Sequence, residues 1–124
     1  MSEKQLISIV TLGCSKNQVD SEYLAAALNN KNFIVKHESE KADIVIINTC
    51  GFILDAKEES IDTIIYYCDA KKTGKIKKLI VFGCLIQRYK EELSLEIEDV
   101  DAWFGVRDFQ EIVDYLDKDL KISN

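Results

Sequence analysis

The sequence predicts an α/β protein: an open, mainly parallel sheet of about five strands with helices on both faces, in a flavodoxin-like arrangement. Short β-branched and aromatic runs alternate with longer segments of helical period. Three of the runs are apolar nearly throughout, as strands buried on both faces are. The chain has 124 residues, 47% of them hydrophobic and 31% charged, enough to bury one core. No proline, repeat or low-complexity linker divides it, so residues 1–124 are expected to form a single domain.

The first strand is expected over Leu6 to Leu12. Val19, Tyr23, Leu24, Ala27 and Leu28 then mark a helical stripe that ends in Asn29-Asn30-Lys31-Asn32. Phe33 to Val35 and Ile44 to Ile47 give two more strands, with Lys36 to Ala42 unassigned between them. Ile53, Ala56, Ile61, Ile64, Ile65 and Cys68 form the stripe of the longest helix. Its opening acids (Asp55, Glu58, Glu59) and its end at Lys71-Lys72-Thr73-Gly74 agree with the helix dipole and a glycine stop. Leu79 to Phe82 is the fourth strand, followed by a short helix over about Gln87 to Leu93. Ala102 to Phe104 is the fifth. The last helix opens at Asp108, where Asp108-Phe-Gln-Glu111 fits a capping box, and turns Ile112, Val113 and Leu116 inward.

Sixteen Lys and Arg against 22 Asp and Glu leave a formal charge of −6, which opposes direct nucleic-acid binding and suits a basic protein partner better. Such a charge by itself also serves only solubility. No apolar stretch is long enough for a bilayer, and Met-Ser-Glu-Lys-Gln at the N-terminus has no signal pattern, so a cytoplasmic protein without membrane association is expected. In a reducing compartment the four cysteines are expected as core thiols, metal ligands or reactive groups.

Cys14, Cys50 and Cys84 share one setting: each sits beside a glycine, after a predicted strand and before a predicted helix. All three therefore fall on the edge where the carboxyl ends of the strands emerge, where ligands bind in open α/β sheets. In the strand order 2-1-3-4-5 the strands that carry them are neighbours about 4.8 Å apart, so the outer two loops start only about 10 Å apart. Glycines 13, 51 and 83 let the backbone turn sharply and approach what the thiols hold, and the helix N-termini favour thiolate. The pattern describes a tripod of sulfur ligands. A zinc ion with an open position and a cubane iron–sulfur cluster with one iron free of protein both fit three thiolates. Zinc is less favoured, since His37, the single histidine, is remote in sequence.

A phosphatase nucleophile needs an arginine about six residues beyond the cysteine. Arg88 comes four after Cys84, and no arginine follows Cys14 or Cys50 in its loop. Flavin binding would call for a Ser/Thr/Gly-rich first loop, which is missing. Cys68, on the apolar stripe one turn from Ile64, is read as core. Asn17, Asp20, Ser21, Glu22, Asn48, Gln87 and Arg88 lie near the proposed site but are read as caps and solvated surface, and Trp103 and Phe104 as packing.

Four linked motifs then identify a family. Gly13-Cys-Ser-Lys-Asn-Gln-Val-Asp-Ser-Glu22, Asn48-Thr-Cys-Gly-Phe-Ile53, Ala56-Lys-Glu-Glu-Ser-Ile-Asp-Thr-Ile64 and Gly83-Cys-Leu-Ile-Gln-Arg-Tyr-Lys-Glu-Glu-Leu93 together resemble the N-terminal domain of the radical S-adenosylmethionine methylthiotransferases. Glu96-Ile-Glu-Asp-Val-Asp-Ala-Trp-Phe-Gly105 extends the match, although the branch that modifies a ribosomal protein usually reads Glu-Ile-Pro-Glu-Val-Asp there. Ser-Lys-Asn after Cys14 and Gly-Phe-Ile after Cys50 resemble the branch that modifies an aspartate of small ribosomal-subunit protein twelve, rather than the transfer-RNA branch.

The resemblance implies that Cys14, Cys50 and Cys84 hold an auxiliary [4Fe-4S] cluster whose open iron carries the sulfur group to be transferred. It implies an enzyme when the chain is full length, acting on the β-carbon of an aspartate in a ribosomal protein. A second [4Fe-4S] cluster and S-adenosylmethionine would sit on a following barrel domain, before a small C-terminal recognition domain. The cysteines at 14, 50, 68 and 84 cannot form the Cys-x-x-x-Cys-x-x-Cys motif of that barrel, so these 124 residues alone are expected to bind a cluster and catalyse nothing. The alternatives are a transfer-RNA methylthiotransferase domain, a stand-alone zinc- or cluster-binding module, and a plain α/β interaction domain with buried thiols.

Overall fold

The computed structural model describes residues 5–13, 15–29, 31, 33–39, 41–49, 54–105 and 108–123. Its elements are β1 (Gln5–Thr11), α1 (Ser15–Asn29), β2 (Phe33–His37), β3 (Ile44–Thr49), α2 (Leu54–Lys72), β4 (Lys78–Gly83), α3 (Cys84–Glu96), β5 (Ala102–Phe104) and α4 (Phe109–Ser123). The strands form one sheet in the order β2-β1-β3-β4-β5. Every neighbouring pair is parallel, and the expected fold class and strand order are both borne out.

Alternation along the central strands divides the core in two. Ile44 and Ile46 of β3 face one side with Ile7, Ile9, Ile80 and Phe82, and pack against Leu24 and Leu28 of α1 and Ile112, Val113 and Leu116 of α4. Val45 and Ile47 face the other side with Val10, Leu79 and Val81, against Ile64 and Cys68 of α2 and Leu85, Ile86 and Leu93 of α3. All six residues of β3 are buried, and its first four, Ile44 to Ile47, read as a continuous apolar run for that reason. Each fully buried Ile or Leu contributes roughly 1.5–3 kcal/mol.

Gly74 ends α2 as expected. Its φ is +83°, its N–H donates to Lys71 O (3.1 Å), and the Lys75 N–H donates to Ala70 O (2.9 Å), the pair of bonds that closes a Schellman cap. At the start of α4, Asp108 accepts the Ile112 N–H on its carbonyl (3.0 Å) and the Gly105 N–H on Oδ2 (2.7 Å).

Three local expectations are corrected. The unassigned segment after Val35 begins as strand, since β2 runs on to His37 and is followed by Glu38 at φ +50°. The Ser39 N–H then donates to the buried Ser8 Oγ (2.9 Å), pinning this connection to β1. The third helix starts at Cys84 rather than near Gln87, because Gly83 itself occupies the N-cap. The inward face of α1 carries Asn17, Ser21, Leu24, Ala25 and Leu28, whereas Val19 and Tyr23 are 64% and 65% exposed. Tyr23 lies instead over Phe109 of α4, ring centroids 5.2 Å apart.

Candidate functional site

A strand that ends inside a parallel sheet leaves peptide groups that no ladder partner reaches, and buried ones must find other partners. The carboxyl ends of β1 and β3 meet this need with side-chain amides. Asn17 on α1 donates both Nδ2 hydrogens, one to Leu12 O (2.6 Å) and one to Thr49 O (3.0 Å). Asn48 Nδ2 donates to Asn17 O (2.8 Å) and to Ser21 Oγ (3.1 Å). Ser21 Oγ in turn shares a hydrogen bond with Thr11 Oγ1 at 2.7 Å. Thr49 Oγ1 carries the chain of bonds to the next strand by donating to Phe82 O (2.8 Å).

Asn17, Ser21, Asn48 and Thr49 are each 2% exposed or less. Asn17, Ser21 and Asn48 are therefore not the caps and solvated surface that composition suggested. Asp20 is half-buried and Glu22 exposed, and the side chains of Gln87 and Arg88 lie outside the described residues.

β3 and β4 are held close at the same edge. Thr49 and Gly83 are register partners, and Gly83 adopts φ +116° and ψ −163°. A Cβ at Gly83 would sit 2.7 Å from Thr49 O. The close approach that this glycine permits is thus to the neighbouring strand.

Cys14 and Cys50 lie outside the described residues, and so does Gly51. What is described is the frame from which they leave. Gly13, at φ +91°, immediately precedes Cys14, and Thr49 immediately precedes Cys50. Cys84 is the first residue of α3, directly after β4. Its N-cap is Gly83, so α3 opens without a side-chain cap from that position, and the helix dipole is positive at this end. A thiolate donor set suits that end, and three thiolates suit a cubane cluster with one iron open. Among the described residues, no group of three His, Cys, Asp or Glu side chains is placed to hold a metal ion.

Cys68 is buried on α2, 5% exposed, and lines a cleft with Leu93, Ile97 and Asp99. Burial, and then Asp99, push its thiol above the ordinary range. His37, set aside as remote in sequence, ends β2 and lines a cleft of about 250 Å³ with Thr11, Gln18, Ser21, Glu22 and Glu38. The parallel pairing of β1 with β2 brings it there, a neighbourhood that sequence distance hides.

The profile of Uncharacterized protein family UPF0004 matches residues 6–105. The chain belongs to this family. The resemblance carried by the motifs is borne out by relatives of this UPF0004 domain that are named ribosomal protein uS12 methylthiotransferase RimO. The protein from Clostridioides difficile is 54% identical over 106 residues, covering 86% of this chain and 24% of the relative. Those from Phocaeicola vulgatus and Cytophaga hutchinsonii are 50% and 48% identical, covering 96% and 97% of this chain and 28% of each relative. The chain therefore spans about a quarter of the length of these relatives. No described helix is long and apolar enough to cross a membrane.

Proposed function

We propose that this UPF0004 domain is the auxiliary-cluster domain of an enzyme that methylthiolates the β-carbon of an aspartate in ribosomal protein uS12, with Cys14, Cys50 and Cys84 as the cluster ligands. The observation that carries the reading is the buried set of hydrogen bonds joining the ends of β1, β3 and β4, each end one or two residues before one of the three cysteines. The names of the relatives support the substrate. When bound, a [4Fe-4S] cluster on three thiolates supplies one iron open to a sulfur ligand that the protein does not provide.

The chain's own residues hold the site together. α1 opens at Ser15 and α3 at Cys84, so two helix N-termini favour the thiolate form at Cys14 and Cys84. Asn17 and Thr49 satisfy the strand-end carbonyls and keep water from competing for them, and Asn48 holds Asn17 through its backbone carbonyl. Radical generation from S-adenosylmethionine requires a second cluster motif, which these 124 residues do not contain. The radical cluster, S-adenosylmethionine and the docking of uS12 are assigned to other parts of the enzyme, and all of it to the cytoplasm where ribosomal proteins are modified.

Anaerobic incubation of the chain with iron and sulfide tests this. About four irons and four sulfides per chain, with visible charge-transfer absorption, are expected. Cys14→Ala, Cys50→Ala and Cys84→Ala should each abolish or severely weaken uptake, and Cys68→Ala should not. Stoichiometric zinc without iron would favour a carrier module, and uptake indifferent to the three cysteines would sink the assignment. Reductive cleavage of S-adenosylmethionine by the reconstituted chain alone would overturn the division of labour.

A further inference from the structure

We propose that Asn17 is a positioning residue that sets the separation of the β1 and β3 ends from which Cys14 and Cys50 follow in the chain; the proposal rests on the assignment of those two cysteines made above. Asn17 grips both routes to them. Its bond to Leu12 O holds the end of β1, two residues before Cys14 in sequence. Its bond to Thr49 O holds the peptide group that joins Thr49 to Cys50.

Both bonds leave one planar nitrogen whose hydrogens diverge by about 120°, so acceptors at 2.6 and 3.0 Å are kept roughly 5 Å apart. The pairing of β1 with β3 does not need them, since the Leu12 N–H already donates to Asn48 O (3.0 Å). The amide acts on the groups just beyond the ladder.

Asn17 has little freedom of its own. Its backbone carbonyl takes one Asn48 N–H, and the other Asn48 N–H goes to Ser21, one turn further along α1. Turning Asn17 away would strand the buried Thr49 carbonyl, the partly buried Leu12 carbonyl and an amide. An apolar residue would bury the same helix face without desolvating an amide, but it would fix no distance between strand ends.

The test reads thiol separation without iron. In a Cys68→Ser, Cys84→Ser background, the apo chain is equilibrated with reduced and oxidised glutathione, which gives the effective concentration of the Cys14–Cys50 pair. Asn17→Asp keeps the side-chain size but cannot donate to either carbonyl, and should lower that concentration about tenfold or more. Ser21→Ala, which leaves Asn17 in place and releases one Asn48 N–H, should lower it about threefold and keeps the test alive if Asn17→Asp fails to fold. Leu28→Ala, a core substitution on the same helix, should leave it within about twofold despite a lower urea midpoint. An unchanged effective concentration in Asn17→Asp or in Ser21→Ala, or an equal fall in Leu28→Ala, would overturn the proposal. Failure of the wild-type chain to take up iron would instead remove the cluster assignment and leave the thiol measurement standing.

Discussion

A methyl group added to Gly83 would lie 2.7 Å from the carbonyl oxygen of Thr49, and 2.9 Å from both its amide nitrogen and its Oγ1. Two of these atoms are backbone in the centre of the sheet and cannot swing aside. The backbone at Gly83 is also in a region that side-chain-bearing residues rarely adopt. Gly83→Ala should therefore cost about 2–4 kcal/mol, read from urea unfolding. Gly74→Ala meets open space and should cost only its positive φ, about 1 kcal/mol. Equal losses at the two positions would show that the contact with Thr49 does not matter.

Asp101 joins three elements. Its Oδ2 accepts from Lys71 Nζ at the end of α2 (2.8 Å) and from the Leu79 N–H of β4 (2.9 Å), just before β5 begins. Both charged side chains are about three-quarters covered, 26% exposed each. Asp101→Ala should cost about 1–3 kcal/mol in thermal or urea unfolding, and Lys71→Met less, because it leaves the Leu79 N–H satisfied. Asp101→Asn, whose carbonyl oxygen can still accept from Leu79, should fall between them.

Cys68 gives a pH prediction. Its thiol is raised in the folded chain by burial first and by Asp99 second. The folded chain keeps this proton after the unfolded chain has released it, so the contribution is whole below the ordinary thiol range and is lost as pH rises through that range toward the raised value. Cys68→Ala should cost on the order of 1 kcal/mol near neutral pH and should lose less further stability than wild type between about pH 7 and 10. Parallel urea midpoints for the two proteins across that range would show that the thiol does not contribute.

The exposed side of α1 supplies a fourth test. Val19→Ala should change stability by less than about 0.5 kcal/mol, since Val19 is 64% exposed. Leu24→Ala, fully buried on the same helix, should cost about 2–5 kcal/mol. The reverse order would restore the face expected from the apolar residues alone.

That contrast marks how far the sequence could be read. β3 and β4 were legible because burial on both faces leaves an unbroken apolar run, and the strand order, taken from the flavodoxin-like pattern, is the one found. The inward face of α1 was not, because its first two members are Asn17 and Ser21. Polar residues that bond to strand ends, Asn17 to carbonyls and Ser21 to the side chains of Thr11 and Asn48, look like surface until the sheet is in place. A weak signal existed: Asn17, Ser21, Leu24 and Leu28 share one helical stripe, and the two polar members fall in its first turns, beside a cysteine. The neighbours of His37 were hidden for a related reason, since β1 lies far back in the chain.

The all-parallel order also governs when the carboxyl edge can exist during synthesis. Leu12, Thr49 and Phe82 are separated from one another by a complete crossover or more, so no local stretch of chain contains two of these strand ends. Asn17 can clamp the first two once β3 has left the ribosome, while the Thr49 link to Phe82 must wait for β4. A nascent chain therefore assembles the edge in two stages, the ends of β1 and β3 first and the end of β4 after them.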